Sequence, residues 1–69
     1  MKTTEVFAKN VQEIRLSKGI TQQTLANLSG FSTVYISQME RAMVNANLTI
    51  IERLSKGLQV PAWRLLWSR

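Results

Sequence analysis

Residues 22–41 read Gln22-Gln23-Thr24-Leu25-Ala26-Asn27-Leu28-Ser29-Gly30-Phe31-Ser32-Thr33-Val34-Tyr35-Ile36-Ser37-Gln38-Met39-Glu40-Arg41. Two short helical patterns share this stretch and meet at a single glycine. Thr21 is placed to cap the first, from about Gln22 to Ser29, with Leu25, Ala26 and Leu28 on its inward side. Gly30 stops it, and Ser32 caps the second, which runs to about Arg41 with Ile36 and Met39 inward. Neither start is a full capping box, because Thr24 and Tyr35 stand where an acidic or amide residue would be needed. A connection this short makes the two helices cross steeply with their inner faces close together. The approach needs a small side chain, which Ala26 provides, and a turn residue that tolerates positive φ, which Gly30 provides. Leu25, Phe31, Ile36 and Met39 then fill the wedge between the helices.

The flanks extend the helical pattern in both directions. Phe7, Val11 and Ile14 fall at i, i+4 and i+7 with Lys9, Asn10, Gln12 and Glu13 between them, which predicts an amphipathic first helix ending near Lys18-Gly19, with Gly19 as its C′ residue. After a connection over Ala42 to Ala46, Asn47 caps a fourth helix whose apolar stripe is Leu48, Ile51, Leu54 and Leu58. Gln59-Val60-Pro61 breaks that helix, and Pro61 suits the first turn of a fifth, in which Trp63, Leu66 and Trp67 share a face. The alternation of a strand is absent, and no repeat or linker divides the chain. The expectation is an all-α, compact five-helix fold forming one domain over residues 1–69.

At 69 residues the chain can build one core, and a domain of that size buries only about 60% of its unfolded surface. It contains neither Cys nor His, so disulfides, a structural zinc site and the usual nucleophile–base pairs are all excluded. The four carboxylates, Glu5, Glu13, Glu40 and Glu52, are scattered over different helices, and there is no Gly-rich phosphate loop. No enzyme, cofactor, metal or small-molecule ligand is therefore expected. Nine Lys and Arg against four acidic residues give a formal charge of +5 and a pI near 10.5, which fits a polyanionic partner as well as a protein that is simply basic. The start, Met1-Lys2-Thr3-Thr4-Glu5, is polar and leads into no apolar signal-like run, and nothing approaches the roughly 18 apolar residues of a membrane span. A cytoplasmic protein without a membrane partner is the expectation. Trp63, Arg64, Trp67 and Arg69 cluster near the end, but cover too little area for firm attachment to a membrane surface.

The stretch from Gln22 to Arg41 resembles the helix-turn-helix of the phage Cro and CI repressor family, also called the XRE family. Ile14-Arg15-Leu16 followed by Lys18-Gly19-Ile20-Thr21-Gln22 resembles that family's first junction, and Asn45-Ala46-Asn47-Leu48 through Leu58-Gln59-Val60 resembles its fourth helix. The likeness covers roughly Val6 to Leu66. It implies a lambda-repressor-like DNA-binding domain whose third helix enters the major groove of double-stranded DNA. Ser32, Thr33, Val34, Ser37 and Gln38 match the base-facing positions. Gln22 matches a phosphate-binding position, with Thr21, Tyr35, Arg41, Asn45 and Asn47 as further phosphate candidates. Arg15 and Glu40 match a pair that forms an internal salt bridge in relatives.

Chemistry refines what the resemblance implies. Gln38 can bond adenine N6 and N7 together, or be an ordinary solvated residue, while Thr33 and Val34 can place methyl groups against thymine. No Arg or Lys lies among the reading positions, so a half-site favouring A·T over G·C is expected. The chain departs from the family at Ala42-Met43-Val44-Asn45-Ala46, where Gly, basic residues and Pro are usual, and this weakens a phosphate role for the loop. Two apolar residues there suggest an interface instead, and the resemblance puts dimer contacts at Met43, Val44, Pro61, Trp63 and Trp67, although Trp63 or Trp67 could equally close the core of one subunit. The function implied is a transcriptional regulator acting as a homodimer on an inverted repeat. The run Asn47-Leu48-Thr49-Ile50 and then Lys56-Gly57-Leu58 is similar to restriction-modification controllers, and phage Cro-like repressors are also standalone members. The alternative is a protein-interaction module, antitoxin-like or an anti-repressor, that keeps the fold without binding DNA.

Overall fold

Four α-helices form in the computed structural model, which describes residues 3–68: α1 (Thr3–Ser17), α2 (Gln22–Ser29), α3 (Thr33–Glu40) and α4 (Leu48–Leu58). One turn of 3₁₀ helix, Ala62–Leu65, follows. Among the described residues there is no strand. Met1, Lys2 and Arg69, part of the polar start and of the basic aromatic end, lie outside the described residues. α2 packs on α3 and α4, α1 lies across α3, and the 3₁₀ turn closes against α1 and α4. Phe7, Val11, Ile14, Leu25, Ile36, Met39, Leu54, Leu58 and Leu65 belong to the single buried cluster at the centre.

Local chemistry accounts for the helix ends. Thr21, Ser32 and Asn47 sit in extended backbone and their side-chain oxygens accept from the backbone N–H of Thr24, Tyr35 and Ile50 respectively, each satisfying a donor that the helix itself leaves orphaned. α3 ends in a Schellman arrangement: the Ala42 N–H donates to the Met39 carbonyl and the Met43 N–H to the Gln38 carbonyl. That arrangement puts Ala42 at φ 60°, the left-handed region in which a Cβ is crowded and glycine is usual.

The fifth helix predicted from the sequence is a single 3₁₀ turn instead. Pro61 is the residue before it rather than part of its first turn. Four residues cannot offset the cost of nucleating an α-helix, and the segment is tethered from outside: Asn10 Nδ2 donates to the carbonyls of Leu65 and Trp67 at 3.0 and 2.9 Å. Trp63, Leu66 and Trp67 are all exposed. The residue that enters the core is Leu65, which has no exposed surface.

Two more apolar residues are on the opposite side from that predicted. Leu28 is 57% exposed and Ser29 is buried in its place, because the face of α2 that meets α4 runs through Leu25, Ala26 and Ser29. Gly57 permits that approach, since a Cβ there would lie 3.3 Å from the Ser29 nitrogen. The Ser29 hydroxyl is satisfied by donating to the Leu25 carbonyl at 2.7 Å. Leu48, predicted in the stripe of α4, is 86% exposed. It is the first residue of the helix, and the buried stripe is Ile50, Ile51, Leu54 and Leu58.

One ion pair joins the first three helices. Arg15 Nε meets Glu40 Oε2 at 2.7 Å and Nη2 meets Oε1 at 3.1 Å, a two-pronged contact from the last turn of α1 to the end of α3. Arg15 Nη1 also donates to the Ile20 carbonyl at 2.9 Å, and Gln22 Nε2 donates to Glu40 Oε1 at 3.0 Å. The Glu40 side chain is 2% exposed, so its charge depends on these donors.

Replacing Glu40 by Gln or Arg15 by Met should each destabilise the fold by about 3–5 kcal/mol, because the surviving charge is left buried; replacing both with apolar residues should cost less than either alone. Urea unfolding of the three variants checks this, and additive losses would contradict it. Ala42→Gly should raise stability by about 0.5–1 kcal/mol, the relief of left-handed strain exceeding glycine's extra unfolded-state entropy. Loss of stability in the same assay would rule out strain at this position.

Candidate nucleic-acid interface

The turn between α2 and α3 is closed by Gly30 at φ 78°. The Gly30 and Phe31 N–H groups both donate to the Ala26 carbonyl, at 2.9 and 3.0 Å. The chain is therefore held tightly where it reverses, and α3 starts within two residues. Ser32 begins α3 as its cap, and at about 100° per residue Thr33, Val34, Ser37, Gln38 and Arg41 fall within an arc of roughly 140°. Thr33 and Val34 are exposed, while Ser37 and Gln38 are half-buried. Ile36 and Met39 face the core. Four of the five sequence-derived reading positions, Thr33, Val34, Ser37 and Gln38, thus share one face of α3, and the fifth, Ser32, stands outside that arc as the cap.

Several of these side chains already have intramolecular partners. Ser32 Oγ accepts from the Tyr35 N–H at 3.1 Å, which leaves its own O–H as the group able to meet a base. Thr21 Oγ1 accepts from the Thr24 N–H and donates to Thr24 Oγ1, both at 3.0 Å. Gln22 directs its amide nitrogen at Glu40, so its side-chain carbonyl and its backbone N–H in the first turn of α2 are what it presents outward. Asn47 Oδ1 caps α4 at 2.9 Å, and Asn45 Oδ1 accepts from Thr4 Oγ1 at 3.1 Å. In both asparagines the carbonyl oxygen takes the internal bond, and the amide NH₂ is the end suited to a phosphate oxygen. The Tyr35 ring packs against Phe31, centroids 5.2 Å apart and planes tilted by 57°. Arg41 is exposed at the end of α3 and curls back toward the Ser37 carbonyl at 3.4 Å.

The charge distribution around this surface is uneven. From Gly19 to Met39 the sequence contains no charged residue. Glu40 is neutralised by Arg15, and the remaining carboxylates, Glu5, Glu13 and Glu52, are on α1 and α4. Lys18 and Arg41, both exposed, flank this uncharged stretch in sequence, Arg41 at the end of α3. Such a face repels no polyanion and offers uncharged donors and acceptors, the groups that discriminate base edges.

Two residues were not legible in the sequence. Arg53 of α4 donates from Nε to the Ser29 carbonyl at 2.9 Å and from Nη2 to the Gly30 carbonyl, with its guanidinium 4.0 Å above the Phe31 ring. It stands 23 residues from Gly30 in sequence, and no spacing rule connects an arginine in one helix with a turn so far away. Among the described residues Leu48 is the most exposed large apolar one, and its place in an apolar repeat pointed to the core. The predicted interface residues Met43, Pro61, Trp63 and Trp67 are exposed, whereas Val44 is half-buried and packs against the core. Trp63 and Trp67 meet edge to face at 6.2 Å. Among the described residues no group of three His, Cys, Asp or Glu could hold a metal ion, and no helix is long and apolar enough to cross a membrane.

Comparison with known proteins agrees with this architecture. The model of the family described as helix-turn-helix matches residues 11–62. A hypothetical transcription factor of Neisseria meningitidis serogroup B is 38% identical over 61 residues, which cover 88% of this chain; the chain spans 58% of that protein's length. The control protein C.BamHI of Bacillus amyloliquefaciens is 40% identical over 62 residues, covering 88% of this chain and 76% of the relative. The crystal structure of the restriction-modification controller protein C.AhdI from Aeromonas hydrophila superposes with a TM-score of 0.86 at 34% identity, covering 90% of this chain and 94% of that one. With the matched segment spanning all four α-helices from Val11 onward, the chain belongs to the helix-turn-helix family of the XRE type.

Proposed function

We propose that the chain is a sequence-specific double-stranded DNA-binding protein that regulates transcription as a homodimer, with α3 in the major groove and the whole chain acting as one helix-turn-helix domain. The observation that carries this reading is the outer arc of α3: Thr33, Val34, Ser37 and Gln38, uncharged and mostly polar, with Arg41 at its end, on a helix held at both ends by capping bonds. Rigid placement matters because base edges are read by hydrogen bonds that tolerate little displacement. Family membership and the likeness to control proteins of restriction-modification systems support the same reading.

In this reading Gln38 bonds adenine, Thr33 and Val34 contact thymine methyl groups, and the Ser32 and Ser37 hydroxyls complete the base contacts. Backbone phosphates are held by neutral groups, Thr21, Gln22, Tyr35, Asn45 and Asn47, with Arg41 and Lys18 at the borders. One recognition helix covers too few base pairs for a regulator to find its site, so a second copy is required. The exposed apolar residues Met43, Leu48, Trp63 and Trp67, with Val44 and Pro61 beside them, are the surface through which it would bind.

Selection from a random duplex library at about 150 mM salt should enrich an inverted repeat with half-sites about one helical turn apart and A·T-rich where α3 reads. Enrichment of no sequence by folded protein would remove the DNA-binding reading in favour of an interaction module. On the selected site Gln38→Ala should cost about 1–3 kcal/mol and relax specificity at one base pair per half-site. With two bordering cations per subunit, the slope of log K against log salt should be about −3.6, four charges at about 0.9 each; a slope twice as steep would place further cations on the DNA.

A further inference from the structure

The C-terminal end of α2 has no basic residue in its last turn, although a helix leaves its final carbonyls without internal partners and a partial negative charge there. The missing cation comes from α4. Arg53 donates Nε to the Ser29 carbonyl at 2.9 Å and Nη2 to the Gly30 carbonyl, and both carbonyls belong to the turn that leads into α3. The same guanidinium lies 4.0 Å from the centre of the Phe31 ring. Phe31 in turn packs on Tyr35 in the first turn of α3. The glycine of the turn participates too: a Cβ on Gly30 would come within 2.6 Å of Arg53 Nη2, so the clamp requires the bare backbone that the turn's positive φ also requires.

We propose that Arg53 is a positioning residue for DNA reading: it sets the attitude of α3 by clamping the turn carbonyls, and orients Tyr35 through Phe31, without itself touching DNA. The inference rests on the DNA-binding reading above. It makes Arg53 different from Arg41, the exposed arginine at the end of α3. A phosphate ligand would contribute to the salt dependence of binding, whereas a clamp contributes to discrimination between sequences. It also explains why arginine suits the position. Only a planar fork can bond two carbonyls while stacking on an aromatic face, and lysine keeps the charge but loses that geometry.

The test uses the full chain as wild type, Arg53→Lys, Arg53→Met and Phe31→Leu. For each, affinity is measured on the selected operator and on a random duplex of equal length across a range of salt, together with the backbone amide and Tyr35 ring NMR shifts of the free protein. Arg53→Lys should lose about ten-fold in operator affinity, the scale of one charge-assisted hydrogen bond, with the salt slope unchanged and a smaller loss on the random duplex, where only the neutral Tyr35 phosphate contact is disturbed. The Thr33–Ile36 amides and the Tyr35 ring should shift in the free protein. Phe31→Leu should reproduce the loss of discrimination with no change of net charge, and it answers the question if Arg53→Met does not fold. Equal losses on both duplexes, with the slope shallower by about 1 per subunit, would make Arg53 a phosphate ligand and overturn the proposal. So would an unchanged ratio of operator to random binding in folded Arg53→Lys. If the wild type itself prefers no duplex, the DNA-binding reading fails separately, and unmoved α3 shifts in the variants would then refute the clamp as well.

Discussion

Glu40 is a charged side chain with almost no access to water, and the protein is arranged so that it never lacks donors. Two come from Arg15 on α1 and one from Gln22 on α2, while Arg15 turns its remaining arm to the Ile20 carbonyl in the connection between those helices. A carboxylate removed from water is tolerable only under such conditions, since its desolvation cost is several kcal/mol and the opposing charge must be held in good geometry to offset it. The consequence is positional. Glu40 is the last residue of α3, so the same bonds that satisfy it fix the far end of the helix whose outer face is available for recognition, relative to α1 and the start of α2.

At its near end α3 is fixed by different means. Ser32 caps it, Gly30 reverses the chain, and Arg53 holds the carbonyls of the reversal. Between these two restraints lie Ile36 and Met39, fully enclosed by the core. A helix of eight residues is marginal in isolation, and here it is held by an ion pair behind, a turn in front and apolar burial beneath. Polar groups are economical in this protein. Ser32, Asn45 and Asn47 each use an oxygen in folding and retain a donor on the same side chain, whereas Thr21 spends both its oxygen and its hydroxyl proton on Thr24.

Much of this was visible in order along the chain. The bounds of α2, the caps Thr21, Ser32 and Asn47, and the left-handed residue Gly19 follow from local rules about which residues satisfy orphaned backbone groups. The inward faces of α1 and α3 follow from spacing. The misplacements share a cause. Leu28 and Leu48 each fit an apolar repeat, yet both are exposed, because a repeat names a stripe about three residues wide without saying which edge of it meets a neighbour. Gly57 lets α2 sit close on α4 and turns Ser29 inward in place of Leu28. Asn10 tethers the tail so that Leu65, not Leu66, reaches the core.

The sequence by itself determined the all-helical class, the paired helices about Gly30, the uncharged stretch from Gly19 to Met39 and the overall basic charge, because each is a property of neighbouring residues or of composition. The tertiary structure alone decided which donor surrounds which acceptor. That Gln22 gives its amide to Glu40, that Arg53 reaches back 23 residues to the turn, and that Leu48 is left on the outside all depend on the angles at which helices cross. Those angles come from the summed packing of the whole core, and no local stretch of sequence contains them.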